Sequence, residues 1–165
     1  MVAAGLAATL AVGPAAFADE HTDGATATAV VESTITLTGA TDFTLTGTPG
    51  DEVPAATTSQ LSAKTNNQGG YNVTVLADEP VGEEPAGLLG GADGNTDLIE
   101  WSALKVQNSG DTYTELSTGT SVEVHTQAER SSEDGDALTA SYELTMPFVN
   151  ADTYSGGLTF TATAN

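Results

Sequence analysis

Threonine and serine alternate with apolar residues along much of this chain. A hydrophobic pattern that repeats every two residues is compatible with only a few kinds of fold. In residues 138–148, apolar side chains stand at every second position. Residues 158–163 repeat the pattern, with threonine at every polar position. Such alternation sends one set of side chains to each face of a β-strand, and β-branched threonine suits the face that meets water. The pattern therefore predicts strands with one buried and one wet face.

About eight alternating runs follow one another, and turn-forming residues separate them. Turns are predicted at residues 48–51, 66–70, 108–111 and 155–157, which are rich in glycine, asparagine, aspartate and serine. No stretch after residue 18 carries apolar residues at helical spacing with capping signals. The predicted fold class is all-β: an antiparallel two-sheet β-sandwich, immunoglobulin-like, with about eight strands.

Tyr154 favours the immunoglobulin-like arrangement. It stands in the sequence Asp-Thr-Tyr-Ser-Gly at 152–156, directly before the alternating residues 158–163. In a tyrosine corner, the hydroxyl of a tyrosine at such a position ties a crossover loop to the start of a strand. An ordinary tyrosine at a sheet edge is the alternative interpretation.

Residues 1–18 predict a helical signal peptide. They are uncharged and alanine-rich, and they end in an A-x-A cleavage site, Ala16-Phe17-Ala18. A transmembrane anchor or a buried helix is the alternative, but the apolar run is shorter than the roughly 20 residues of a membrane span and no cations flank it. We expect a signal peptide at 1–18, a flexible N-terminal segment at 19–29 and a β-domain at 30–165. The domain is then secreted, with no membrane contact after cleavage.

Charge and cysteine content exclude several classes of function. Three Lys and Arg residues stand against 23 Asp and Glu residues, for a formal net charge of −20. Nucleic acid is excluded as a partner, because affinity for its phosphates comes from clustered Lys and Arg. The chain has no cysteine, which excludes a disulfide scaffold, a thiol nucleophile and thiolate metal sites.

Two acidic stretches resemble pieces of calcium-binding loops. Their carboxylates are Asp93 and Asp97 in one stretch and Asp134 and Asp136 in the other. Hard oxygen ligands on turns that contain glycine suit Ca²⁺, but neither stretch completes a twelve-residue loop ending in glutamate. An acidic turn in an acidic protein is the alternative. We predict no bound cofactor, with Ca²⁺ as the one ion that the sequence leaves open.

The sequence does not predict an enzyme. No serine stands in a G-x-S-x-G elbow, and His125 is the one candidate base for a catalytic triad. The alternative function is a module that binds or hydrolyses wall glycan. It requires an exposed aromatic surface, for which Tyr71, Trp101 and Tyr113 are the candidates, and a carboxylate pair nearby.

Two segments resemble those of WxL-domain surface proteins and related secreted β-sandwich proteins of Gram-positive bacteria. Residues 69–75 are similar to the family's first segment, a glycine turn followed by an aromatic and alternating β residues. Residues 151–162 are similar to its C-terminal segment, with tyrosine and then Leu-Thr-aromatic. Tyr71 and Phe160 stand where the family has its name-giving tryptophans, and Trp101 has a different spacing. The resemblance implies a β-sandwich and non-covalent association with the cell wall.

The sequence thus predicts an exported, non-enzymatic module with a structural or interaction role at the cell surface. Its partner is expected to be a wall or surface component, or a second copy of the chain that pairs with an unprotected terminal strand. Tyr154, Tyr71, Trp101 and Phe160 are predicted to be structural residues, and no catalytic residue is predicted.

Overall fold

The computed structural model describes residues 21–55, 58–79 and 86–165. The predicted signal peptide at 1–18 lies outside the described residues. The chain divides into two units, Met1–Val31 and Glu32–Asn165. In the first unit, residues 21–31 have no regular secondary structure and are exposed to solvent.

The described part of the second unit is all-β, as the alternating sequence predicts. It has no α-helix, and its one 3₁₀ turn is Trp101–Ala103. The strands that the structure describes are β1 (Ile35–Thr38), β2 (Glu52–Pro54), β3 (Ser59–Thr65), β4 (Tyr71–Ala77), β5 (Leu88–Gly90), β6 (Leu98–Ile99), β7 (Leu104–Gln107), β8 (Tyr113–Glu115), β9 (Val122–Gln127), β10 (Asp136–Ala140), β11 (Tyr142–Thr145), β12 (Tyr154–Ser155) and β13 (Leu158–Ala164).

These strands form four small antiparallel sheets with the orders β1-β3-β10, β2-β11-β7-β8, β12-β5-β6 and β13-β4-β9. The longest pairing joins β13 to β4 over seven residues, from Leu158 opposite Ala77 to Ala164 opposite Tyr71. It brings together two segments that are far apart in the sequence, and it aligns the inward faces of both strands.

The predicted strand at 138–148 is two strands in the structure. β10 pairs with β3, whereas β11 pairs with β2 and β7, and only Ser141 lies between β10 and β11. The alternation continues through the change of sheet, because Ala140 and Tyr142 are both buried. It ends early: Phe148 is 94% exposed, beyond the end of β11. Pro147 stands just before it and has no N–H for a further ladder bond.

Strand number and one strand position also differ from the sequence prediction. The described residues contain thirteen strands rather than about eight, since several have two or three residues and are too short to show a period. Residues 43–46 also alternate, with Phe43 and Leu45 between threonines, and this pattern predicts a strand, but the structure has none there.

The buried hydrophobic residues of the described ranges form one core cluster. β4 contributes most fully, because Tyr71, Val73, Val75 and Ala77 are all completely buried. On β13, Leu158, Phe160 and Ala162 are half-buried against this cluster. The other buried hydrophobic residues are Leu61, Ala63, Ile99, Trp101, Leu104, Val106, Leu116, Val122, Leu138, Ala140, Tyr142 and Leu144.

The two faces of β11 predict different mutational costs. Leu144 is 4% exposed, and Leu144→Ala is expected to lower the free energy of unfolding by about 2–5 kcal/mol. On β13, Phe160→Ala is expected to lower the free energy of unfolding by less than the truncation of a completely buried phenylalanine would, because Phe160 is only half-buried. Thr145→Ala, on the exposed face of β11, is expected to stay within about 0.5 kcal/mol. Urea unfolding of the three variants measures this, and equal losses at Leu144 and Thr145 would contradict the two-face assignment.

Candidate functional site

A groove of about 830 Å³ opens on the hydrophobic cluster of the second unit. One wall is residues 40–47, and the other is residues 152–158 with Phe160. Its floor includes Leu104, Tyr142 and Leu144, three residues of the buried core. We call it the seam groove, because it lies between the segment that follows β1 and the strands β12 and β13. Its volume is within the range of roughly 300–1,000 Å³ that ligand sites occupy.

The wall formed by residues 40–47 is held by side chains rather than by a backbone ladder. Phe43 and Leu45 are half-buried toward the groove, while the residues on either side of them are exposed. The Phe43 ring stacks on the Tyr142 ring, with 4.1 Å between centroids and 13° between planes. Among the described residues, one hydrogen bond reaches this segment, from Ser59 Oγ to the Thr41 carbonyl at 3.3 Å. The alternation in the sequence therefore predicts correctly which side chains of this segment face inward, although the segment does not form a strand.

Tyr142 places an unsatisfied donor in the floor of the seam groove. Its side chain is 1% exposed, and its hydroxyl has no hydrogen-bond partner in the part of the chain that the structure describes. The neighbouring Ser59 hydroxyl donates to the Thr41 carbonyl at 3.3 Å, and it also lies near enough to the Tyr142 hydroxyl to lower its pKa against the larger effect of burial. Burial raises the pKa of Tyr142 to about 12, so the hydroxyl keeps its proton at neutral pH. A buried polar group without a partner costs free energy, and an acceptor that reached this hydroxyl would recover it.

The lining of the groove carries carboxylates. Asp42, Asp78 and Asp152 all line it, and the lining residues include neither lysine nor arginine. Asp78 Oδ1 accepts a hydrogen bond from Thr159 Oγ1 at 2.6 Å. Asp152 Oδ2 accepts hydrogen bonds from Asn95 Nδ2 at 2.7 Å and from the Ala92 N–H at 2.9 Å. These bonds, that from Asn95 first, hold the pKa of Asp152 below its ordinary value, so the lining is negatively charged at neutral pH.

Tyr154 lies at one end of the groove and makes the kind of bond predicted from the sequence. Its hydroxyl donates to the Asn150 carbonyl, four residues upstream, at 2.9 Å. It also accepts a hydrogen bond from Asn95 Nδ2 at 3.2 Å. The phenol therefore ties the loop before β12 both to β12 and to the loop between β5 and β6.

The four calcium candidates do not form a metal cluster. In residues 21–55, 58–79 and 86–165, no group of three or more His, Asp or Glu side chains is placed to hold an ion. Asp97 Oδ2 accepts the Asn150 N–H at 2.8 Å, and Asp136 accepts hydrogen bonds through both of its carboxylate oxygens. Asp93 and Asp134 are exposed. The geometry gives Asp97 and Asp136 a role in holding loops.

Tyr71, Asp136 and His125 form a separate cluster beside β4. The Tyr71 hydroxyl donates to Asp136 Oδ2 at 2.8 Å, and the Tyr71 and His125 rings lie 5.6 Å apart. Asp136 Oδ1 accepts the Ser132 N–H at 2.9 Å, and this bond is the main reason that the pKa of Asp136 is lowered. Burial first, and then Asp136 itself, raise the pKa of Tyr71 well above its usual value. His125, the candidate base, belongs to this cluster and does not line the seam groove.

Asp136 makes stability depend on pH in a defined direction. A carboxylate whose folded pKa lies below its unfolded pKa stabilises the fold fully above the unfolded value, and that contribution is lost as the pH falls through the folded value. We expect the stability difference between wild type and Asp136→Asn to be constant from about pH 6 to pH 8, to begin to shrink near about pH 4, and to be lost only below the lowered folded pKa of Asp136. Urea unfolding at each pH measures it. Asp134→Asn, at an exposed neighbour, is the control and should not change the profile.

The exposed aromatic surface predicted for a glycan-binding module is wrong for two of its three residues. Tyr71 is completely buried and Trp101 is 5% exposed, which leaves Tyr113 at 37%. Tyr71 faces inward because it stands at an inward position of β4. Trp101 packs so closely on Gly156 that a Cβ there would lie 2.5 Å from the indole ring. The indole N–H is buried without a hydrogen-bond partner among the described residues.

Sequence reasoning singled out Phe160 and Tyr154 on one wall of the groove but not Phe43, Asp78 or the Tyr142 hydroxyl. The alternation around Phe43 carried the signal for an inward-facing aromatic, but not for its place beside β12 and β13.

The chain was compared with protein families, curated proteins and solved structures. No family model, no curated protein and no solved structure matches this chain. Within the described ranges, no helix has the length and apolar character needed to cross a membrane.

Proposed function

We propose that this chain is an exported, non-enzymatic β-sandwich of the immunoglobulin-like type that binds a partner outside the cytoplasm through the seam groove. One observation carries the proposal: core residues Leu104, Tyr142 and Leu144 form the floor of an open groove, and the Tyr142 hydroxyl there has no hydrogen-bond partner among the described residues. Polar groups that converge on a concavity beside apolar and aromatic side chains are typical of binding sites.

The groove contains features of a binding site and lacks the usual preparation for catalysis. Tyr142 is protonated at neutral pH, so its hydroxyl is available as a hydrogen-bond donor to a partner. The carboxylate of Asp152 accepts hydrogen bonds that favour its charged form, whereas a general acid needs a raised pKa. Electrostatics at this site therefore favour recognition over proton transfer.

The immunoglobulin-like sandwich is supported by the packing of small antiparallel sheets around one hydrophobic cluster and by the Tyr154–Asn150 hydrogen bond. Export is supported by the A-x-A site at residues 16–18. Association with the cell wall rests on the resemblance to WxL-domain proteins. The two segments of that resemblance lie side by side, since β4 and β13 pair with Phe160 opposite Val75.

Binding in the groove can be tested with Nile red, a neutral dye that fluoresces in apolar sites and is not repelled by a charge of −20. We expect saturable binding that Phe160→Asp abolishes, because it places a charge in the groove. The matched control is Phe148→Asp, at a phenylalanine that is 94% exposed and outside the groove. Leu45→Asp, on the opposite wall, checks the result independently. Binding that survives both groove variants, or no binding to the wild type, would refute the groove as the site.

Export is tested by expressing the full chain in a Gram-positive host. The protein is expected outside the cells with Asp19 as its first residue. Ala16→Leu with Ala18→Leu should leave the chain uncleaved, whereas Ala15→Leu should not, because the cleavage site requires small residues at its own two positions.

A further inference from the structure

We propose that the partner is another protein, which inserts an extended, basic segment into the seam groove as an added β-strand. The proposal rests on the seam groove as the binding site and adds the chemical class of its occupant. Addition of a strand to an open edge is a recurring mode of peptide recognition, in which main-chain hydrogen bonds give affinity and pockets for alternate side chains give specificity.

Both walls of the groove present backbone that is unpaired within the described ranges. On one wall, no backbone N–H or carbonyl of residues 42–47 makes a hydrogen bond there, although Phe43 and Leu45 keep this wall packed on the core. On the other wall, β12 and β13 each stand at the end of their sheet, and no ladder joins them to residues 42–47. Unpaired N–H and C=O groups of this kind are a template for a further strand.

The floor of the groove supplies a donor and apolar contacts that suit a peptide. The Tyr142 side chain is 1% exposed, and its hydroxyl has no hydrogen-bond partner among the described residues. An extended segment carries one carbonyl per residue, so an inserted strand brings acceptors to this hydroxyl whatever its side chains are. Met146, Leu158 and Phe160 line the groove and are half-buried, which gives apolar side chains of the segment a surface to cover.

The charge of the lining favours a basic segment. Asp42 and Asp78 are exposed, Asp152 is half-buried, and the described lining contains neither lysine nor arginine. An acidic segment is repelled by these carboxylates and by the net charge of −20. Lys or Arg at every second position of the segment can pair with the carboxylates while the residues between them face the floor. Because such ion pairs are exposed, they govern the choice of partner and the association rate more than the affinity.

A blocked peptide of three Lys-Val repeats is a suitable probe, because its basic and apolar side chains alternate. We expect it to bind the full chain in about 0.15 M NaCl and to displace Nile red, as followed by calorimetry and dye fluorescence. A Glu-Val peptide of the same length should not bind. A Lys-Val peptide with N-methyl groups on alternate backbone amides should bind about tenfold or more weakly, because it keeps its charge but loses main-chain donors. Hydrogen exchange of residues 42–47 should slow only with the unmethylated Lys-Val peptide.

Two variants test the contacts within the groove. Tyr142→Phe keeps the ring that stacks on Phe43 and is expected to weaken Lys-Val peptide binding about two- to tenfold, through loss of the hydroxyl donor. Asp42→Asn removes one carboxylate of the lining and is expected to weaken it about two- to fivefold. The matched control is Asp134→Asn, at an exposed aspartate outside the groove, which should leave the affinity unchanged in about 0.15 M NaCl.

The outcomes separate the occupant from the groove. Nile red binding without binding of the Lys-Val peptide would overturn the basic strand and retain the groove as a site. Equal displacement of the dye by the N-methylated peptide, or by n-butylamine at the same concentration, would show recognition of charge alone and also overturn it. Equal losses in Asp42→Asn and Asp134→Asn would place the peptide elsewhere on the acidic surface. Failure of both dye and peptide to bind would refute the groove itself, and with it the proposed function.

Discussion

Tyr142→Ala is expected to lower the free energy of unfolding by about 3–5 kcal/mol, as for other buried aromatic-to-alanine changes. Tyr142 is 1% exposed and is one of the largest fully buried side chains in the structure. Its removal also leaves Phe43 without the ring on which it stacks, so residues 40–47 lose their main attachment. Urea unfolding gives the stability change, and tryptophan fluorescence from the single Trp101 follows the transition.

Tyr142→Phe separates the ring from the hydroxyl. Because the hydroxyl is buried and has no hydrogen-bond partner in residues 21–55, 58–79 and 86–165, removing it is expected to leave the free energy of unfolding unchanged or to raise it by about 1 kcal/mol. The stack with Phe43 is kept, since it involves the ring alone. A loss in Tyr142→Phe comparable to that in Tyr142→Ala would show that the hydroxyl has a stabilising partner, and would remove the unsatisfied donor from the groove.

Gly70→Ala is expected to cost about 2–5 kcal/mol, the sum of an unfavourable backbone conformation and a steric overlap. Gly70 has a φ of +82° at the turn that leads into β4. A Cβ there would overlap the Gln127 carbonyl oxygen and lie 2.8 Å from the Ala128 carbonyl carbon. The atoms in the way are backbone atoms at the end of β9, so they can move only if β4 and β9 separate.

Gly94→Ala is the matched control for this change. Gly94 has the same φ, +82°, but a Cβ there would meet nothing within 4 Å. Only the conformational cost of about 1–2 kcal/mol remains. Both variants are compared with wild type by urea and thermal unfolding. Equal losses at Gly70 and Gly94 would show that the approach of β9 to Gly70 is not as close as the structure has it.

Local patterning predicted the strands well where one face is buried along the whole element. β4 and β13 are examples, because every second residue of each strand is more deeply buried than the residues between them. The fold class follows from this, since no competing helical period exists in the described part of the chain. Tyr154 could be picked out as well, because its bond to Asn150 spans only four residues.

Features that depend on distant partners could not be predicted in the same way. The sheet change between Ala140 and Tyr142 does not interrupt the alternation, so nothing local marks it. Residues 43–46 alternate as a strand does, but they pair with no strand in the part of the chain that the structure describes. Trp101 has no periodic context, and its burial comes from packing on Gly156, fifty-five positions later in the sequence. The seam groove could not be predicted for the same reason, because its two walls, residues 40–47 and 152–158, are more than a hundred positions apart in the sequence.

The pairing of β4 with β13 bears on when this fold can form. Leu158 lies opposite Ala77, so the central strand of that sheet lacks one neighbour until ribosomes have synthesised some eighty further residues. Chains whose contacts are this distant fold slowly and remain open for longer than chains built from local hairpins. Delayed closure of this kind leaves the chain unfolded for longer, which is compatible with the export across a membrane that we propose.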